Sequence, residues 1–391
     1  MPAADRPNVP SLTGLRFFAA LAVYFSHVTP PRPAPVWLQL LMGSGYMGVT
    51  VFFVLSGFVL SLNYFDQLSA PNPSKLARYA VARFARIYPL YIAVLAWVVL
   101  RRNALAQSAE GWGWHVAALQ AWKGDIQVAY GFNPPAWSVS VECFLYACFP
   151  AVVVCLRRIR ATKALILAAV GVIGALFLVT LWFRLARNEP GVPATLSTGH
   201  RWLYRNPLSR LGDFTLGVIA ARIVLNLRGS RLAHRARWLV LAGLLVMLRL
   251  MTSRSLYLTI WSFDVVYAVP AVLVIAGLAL APRGLIARFL SLPPVVVLGE
   301  VSFAFYLIHY LMIPYLDIGA WTATWSGSVL LLEFFKLCIV VALAIGLHHM
   351  IERPGRQLVR RLVTSRAATK PAAMSPIHQV VDGPPAVTLT D

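Results

Sequence analysis

The chain has 391 residues, of which 59% are hydrophobic and only 13% charged, with a mean hydropathy of +0.70; a soluble protein of this size has too little interior to hide that much apolar surface. A net charge of +21 would suggest nucleic acid on a soluble protein. Here the basic residues sit in short loops between apolar runs of about 18 to 23 residues, where the positive-inside rule and anionic lipid account for most of them, and no basic–aromatic surface module is present, so nucleic acid is set aside as a partner.

The pattern predicts an all-α, polytopic membrane protein with about ten transmembrane helices around a polar cavity. Residues 1–11 are a polar N-terminus. The first span, Leu12 to Val28, carries Arg16 near one end and His27 near the other. They are eleven residues apart, which is about 16 Å and just over three helical turns, so both point to nearly the same face. The second span is read at Gly48 to Tyr64, where Ser56-Gly57 suits close helix approach. A loop with Lys75, Arg78, Arg83 and Arg86 leads to the third span, Ile87 to Leu100. The connection 101–135 holds a Trp-rich amphipathic piece and ends in Asn133-Pro134-Pro135, a strong breaker. The fourth and fifth spans are Ala136 to Leu156 and Ala164 to Phe183. The sixth, Leu208 to Leu225, carries Asp213, and the seventh, Trp238 to Met251, is short and interrupted by Arg249. Phe263 to Leu280, Val295 to Leu316 and Val329 to Ile351 complete the set. Residues 1–364 therefore read as one membrane domain and 365–391 as a disordered cytoplasmic tail.

Cys143, Cys148, Cys155 and Cys338 all fall inside spans without metal-ligand spacing and read as small buried apolar residues. His348-His349-x-x-Glu352 reads as an interface-anchored helix end, so no metal site is expected. No cleavable signal peptide is evident.

The densest basic clusters follow spans two, four, six and ten, all on one side. By the positive-inside rule that side is the cytoplasm, with both termini facing it. His27, Glu142, Asp213, Asp264 and His309 then come from five spans yet share one depth band in the outer half. Ionisable side chains inside a membrane mark functional sites by default, and a histidine with a carboxylate is the usual make-up of a general base and its orienting partner. His27 and Glu142 are the candidate catalytic pair. Ser138 shares the Glu142 face four residues away, with Trp137 beside it. At the cytoplasmic side, Arg16, Arg78, Arg83 and Arg86 suit a phosphate-bearing ligand; anionic lipid and topology account better for the loop arginines, whereas Arg16 lies within its span.

These residues resemble the acyltransferase-3 family of integral-membrane enzymes that O-acylate bacterial cell-surface glycans and macrolide sugars. The matching stretches are LTGLRFFAALAVYFSH, with Arg-x10-His as Arg16 and His27; GYMGVTVFFVLSGFVL; RFARIYPLY; PPAWSVSVECFLY, with Trp137, Ser138 and Glu142; LGEVSFAFYLIHY, with Ser302, Tyr306 and His309; and IERP. They run in order over residues 11–356. One departure is Thr50, where the family often has an acidic residue. The resemblance implies a bacterial inner-membrane enzyme taking acyl-CoA, commonly acetyl-CoA, as co-substrate from the cytoplasm, with no bound cofactor, and acylating a hydroxyl of a glycan or glycosylated acceptor. His27 would be the base, Glu142 its orienting partner and Arg16, Arg83 and Arg86 the donor-binding cations. Trp137, Ser138, Ser302, Tyr306, His309 and Asp213 would support the site, and the connections 101–135 and 184–207 would touch the acceptor. The alternative reading is a multi-span transporter of a glycan lipid or small anion; internal repeats, which transporters often show, are not visible.

Overall fold

The computed structural model describes residues 9–28, 30, 33–102, 111–186, 199–263, 265–316 and 327–368. Among them there is no strand. The principal helices are α1 (Pro10–His27), α2 (Val36–Gly43), α3 (Gly48–Leu68), α4 (Pro73–Arg102), α5 (Trp137–Leu156), α6 (Thr162–Ala186), α7 (Pro207–Leu227), α8 (Arg237–Met251), α9 (Val265–Leu280), α10 (Pro293–Leu316), α11 (Gly327–Leu347) and α12 (Arg353–Ala368), joined by shorter helical turns.

Each of the ten expected spans falls on a helix, and the molecule is a multi-pass membrane protein. Seven stretches are long and apolar enough to cross a bilayer: Val36–Leu68, Pro73–Arg101, Pro134–Leu156, Thr162–Leu185, Ile260–Leu280, Pro293–Pro314 and Leu331–Arg361. The count of about ten is not reached by length and composition. Helix α1 is diluted by Arg16 and His27, α7 carries Arg210, Asp213 and Arg222, and α8 has only 15 residues.

Helix α4 begins fourteen residues before the expected start of the third span, at Pro73. Proline suits a first helical position, and nothing between Lys75 and Ile87 breaks a helix; Lys and Arg favour one. Arg83 and Arg86 are therefore helical residues held at fixed azimuths, not loop cations. At the other end of the chain, α12 carries the helix past the boundary read at 364 to Ala368, and residues beyond it lie outside the described ones. Cys155 and Cys338 are exposed on their helices rather than buried, while Cys143 and Cys148 are half-buried. Asp264 lies outside the described residues.

Packing follows small residues. A methyl group at Gly57 would fall on the Phe214 carbonyl oxygen, and one at Gly217 on that of Val54; α3 and α7 thus approach backbone to backbone, as small residues permit in membranes. Helix α1 packs along α10, α8 along α9, and α12 returns against α4. Helix α6 shows Leu167, Val170, Leu178 and Leu185 to the outside, the lipid-facing surface of a peripheral span.

At the centre of the bundle stands Arg210, fully buried. Its guanidinium donates to Asp213 Oδ2 at 2.8 Å, to the Tyr204 carbonyl at 2.8 Å, to Thr50 Oγ1 at 3.2 Å and to the Phe263 carbonyl. Asp213 is spent on this ion pair. Thr50 reaches the same guanidinium as a neutral acceptor, so the carboxylate that balances Arg210 comes from one turn along α7 rather than from position 50.

Candidate active site

The single depth band expected from sequence separates into distinct polar clusters. The first surrounds His27, at the C-terminal end of α1. His27 Nδ1 lies 2.9 Å from the Val23 carbonyl and 3.2 Å from His309 Nε2, and the ring centroids of the two histidines are 5.2 Å apart. His309 is fully buried on α10, with its Nδ1 2.7 Å from the Tyr306 carbonyl. A carbonyl can only accept, so these contacts assign the tautomers. His309 carries its proton on Nδ1 and offers a lone pair at Nε2. His27 carries its proton on Nδ1 and shares it between Val23 and His309. Nε2 of His27 is then the bare nitrogen, on a residue that is exposed. It lines an open pocket of about 530 Å³ with Ser26, Gln39, Arg254 and Tyr257.

The second cluster surrounds Glu142. Its Oε1 accepts from Ser56 at 3.3 Å and from the Tyr146 hydroxyl. Among the described residues no hydrogen bond or ion pair joins Glu142 to His27; the partner expected for the histidine is replaced by His309. Glu142 instead lines a cavity of about 70 Å³ together with Arg16, Ser56, Arg86, Ser138, Ser302 and Tyr306. Val49, Phe52, Phe53, Ile87, Val139, Tyr146 and Phe303 complete the lining. Arg16 lies within electrostatic reach of Arg86, Glu142 and Arg83, and among the described residues its guanidinium has no carboxylate in ion-pair contact.

The other predicted residues distribute around this cavity. Ser138 Oγ is 2.8 Å from the Tyr306 hydroxyl and 2.9 Å from the Pro135 carbonyl, which the Tyr306 hydroxyl also reaches at 3.2 Å. That triangle ties the start of α5 to α10 after the Pro-Pro breaker. Ser302 donates to the Gly299 carbonyl within its own helix. Trp137 packs against Tyr204 and Phe53, 4.8 and 6.5 Å between centroids. Arg83 faces a neighbouring groove, its guanidinium over the Tyr64 and Tyr146 rings and donating to the Tyr64 hydroxyl at 3.0 Å. Arg86 bonds Glu352 at 2.6 Å; Glu352 also takes Arg356 at 2.6 Å and His348 at 2.9 Å. The closing IERP segment thus supplies a buried carboxylate that holds a cation at the cavity rim, and the His348–Glu352 pair is a hydrogen-bonded ion cluster.

Two contributors escaped the sequence reading. Arg210 is one; its signal is the Arg-x-x-Asp spacing with Asp213, which puts both on one face. The other is the turn 252–259 with Arg254 and Tyr257, which lacks any motif. Among the described residues, neither connection expected to touch an acceptor lines the pocket at His27; residues 103–110 and 187–198 of those connections lie outside them.

The Acyltransferase domain family matches residues 9–349. Acyltransferase MdmB of Streptomyces mycarofaciens is 30% identical, over 93% of this chain and 96% of its own length. O-acetyltransferase OatA of Staphylococcus aureus is 22% identical over 79% of this chain and 51% of its own, and peptidoglycan O-acetyltransferase OatA of Listeria monocytogenes is 26% identical over 46% and 30%. The chain thus spans about half or less of the OatA proteins. No solved structure matches it. A family match that takes in Arg16, His27, Glu142 and His309, and a relative alike along almost its whole length, place the chain: it belongs to the acyltransferase-3 family and is a membrane O-acyltransferase.

Proposed function

We propose that the protein moves an acyl group, acetyl in the first instance, from acyl-CoA to a hydroxyl of a glycan or glycosylated acceptor, with His27 as general base. The observation that carries the proposal is the tautomer of His27: Nδ1 is occupied by Val23 and His309, so Nε2 is the basic atom and it belongs to a residue that lines an open pocket. In the step, the acceptor oxygen forms a bond to the thioester carbonyl carbon as its proton passes to His27 Nε2. The carbon–sulfur bond breaks, and the departing thiolate takes the proton back from the imidazolium. During that interval His309 Nε2 accepts a charge-assisted hydrogen bond from the His27 cation, the part first expected of Glu142.

Arg16 and Arg86, in the cavity about three turns of α1 away, suit the phosphates of the donor. Glu142, with Ser56 and Tyr146, shapes that cavity. The donor side faces the cytoplasm of a bacterial inner membrane, and both termini lie there. Transfer of labelled acetyl from acetyl-CoA to surface glycan by protein in nanodiscs, lost in His27→Ala, is the expected result. Full transfer by a folded His27→Ala variant would overturn the assignment of the base. Absence of both transfer and acyl-CoA binding by folded wild type would favour the transporter reading.

A further inference from the structure

The open pocket at His27 is built, not incidental. Helix α2 forms one wall and the turn 252–259 the other. The two are pinned together where Ser44 Oγ donates to the Met251 carbonyl at 2.9 Å, and where the Tyr257 hydroxyl lies so close over Gly43 that a methyl there would strike it. Leu258, next to Tyr257, holds a left-handed backbone conformation at φ +54°, unusual for a residue with a branched side chain and a mark of a turn held in place by its surroundings.

The chemistry of the lining is one-sided. Ser26, Gln39 and Tyr257 offer hydroxyl and amide groups of the kind that read sugar hydroxyls, and Arg254 supplies a full positive charge, whereas no carboxylate lines the pocket among the described residues. Arg254 is exposed and makes no ion pair among the described residues. Nor does lipid topology explain it. Helix α8 starts beside the basic cluster Arg228, Arg231, Arg235 and Arg237, whose side the positive-inside rule assigns to the cytoplasm, and Arg254 follows the opposite end of that helix, just beyond Arg249.

Building on the proposed transfer reaction, we infer that this pocket is the acceptor site and selects a sugar bearing an acidic group, a carboxylate or a phosphate, close to the hydroxyl that His27 deprotonates. Arg254 grips the acid through the paired donors of its guanidinium. Gln39 and Tyr257 hold neighbouring hydroxyls and bring one of them to His27 Nε2.

The experiment uses full-length protein in nanodiscs and three oligosaccharide probes: a hexuronate oligomer, the same oligomer after carboxyl reduction, and a sugar-phosphate oligomer. Binding and acetyl transfer are measured for wild type and Arg254→Gln. The expected wild-type result is about tenfold tighter binding of an acidic probe than of the reduced one, weakening with salt. Arg254→Gln removes that preference while leaving the reduced probe unaffected, and the better of the two acidic probes identifies the anion. Equal binding of acidic and neutral probes by wild type, or an unchanged preference in Arg254→Gln, overturns the inference while transfer to any probe keeps the proposed reaction. Selective binding of an acidic probe without transfer leaves the pocket assignment standing and counts against the reaction. A Tyr257→Phe variant, expected to weaken all three probes alike, separates loss of hydroxyl contacts from loss of charge recognition.

Discussion

Replacing His309 tests how the base is held. In His309→Phe the fully buried ring is exchanged for one of similar shape with no lone pair, so the bundle keeps its packing and His27 loses one of its two Nδ1 acceptors. The Val23 carbonyl at 2.9 Å remains, so the resting tautomer persists and acceptor binding is unaffected. What is lost is the hydrogen bond to the imidazolium that forms as the proton arrives. A charge-assisted bond of this kind is worth about 1.5–3 kcal/mol, and at about 1.4 kcal/mol per tenfold kcat falls by about ten- to a hundredfold with KM for both substrates little changed. His27→Ala, which removes the base, costs about 10²- to 10⁴-fold. Steady-state acetyl transfer in nanodiscs, with the two substrates varied separately, gives the split between kcat and KM. Adding His309→Phe to His27→Ala causes no further loss, since the second residue acts only through the first. A fully active His309→Phe, or a double variant whose loss is the product of the two single losses, would refute the dyad.

Three further outcomes follow from the same contacts. Glu142→Gln raises KM for acyl-CoA more than it lowers kcat, and its effect multiplies with that of His309→Phe, because the two residues share no partner; strongly non-multiplicative losses in the double variant would restore Glu142 as the partner of His27. Glu352→Gln removes the carboxylate that bonds Arg86, Arg356 and His348, leaving half-buried cations unmatched at a cost of about 3 kcal/mol, read as a fall in unfolding temperature together with weaker donor binding; unchanged values of both would show the cluster to be inert. Gly57→Val drives side-chain carbon into the Phe214 carbonyl and costs at least about 3 kcal/mol, since the obstacle is backbone of a packed helix; a variant with wild-type thermal stability would show that α3 and α7 are free to separate.

The helices were legible because apolar runs of bilayer length are unambiguous, and Arg16 and His27 were legible because helical geometry fixes their separation from spacing alone. Glu142 was expected beside His27 and instead bonds Ser56 and Tyr146. Depth along a helix follows from sequence, but azimuth and helix adjacency do not, and His27 meets His309 only because α1 packs along α10. The same limit hid the division of the depth band: Asp213 reads as an isolated carboxylate in sequence and proves to be the counter-ion of Arg210. Arg83 and Arg86 were taken for loop residues because their charges were counted as topology signals, whereas helix propensity carries α4 through them. The acceptor-side residues lay beyond reach altogether, since the turn 252–259 is defined by what it packs against and not by its composition.

Among the described residues, the Arg16 cavity and the His27 pocket share no lining residue. On α1, between Arg16 and His27, Phe17 and Tyr24 bury their rings against Phe305 of α10, with centroids 5.6 and 5.9 Å from it. Packed rings of this kind insulate. On the proposed reading, with a charged donor on one side and a hydrated acceptor on the other, the protein must not become a leak for protons or ions, and buried aromatic side chains impose a steep electrostatic barrier on anything charged. Only a slender, mostly uncharged arm can part them without admitting water. Leak currents through proteoliposomes carrying Phe305→Ala, set against wild type, would report how much of that barrier the ring supplies.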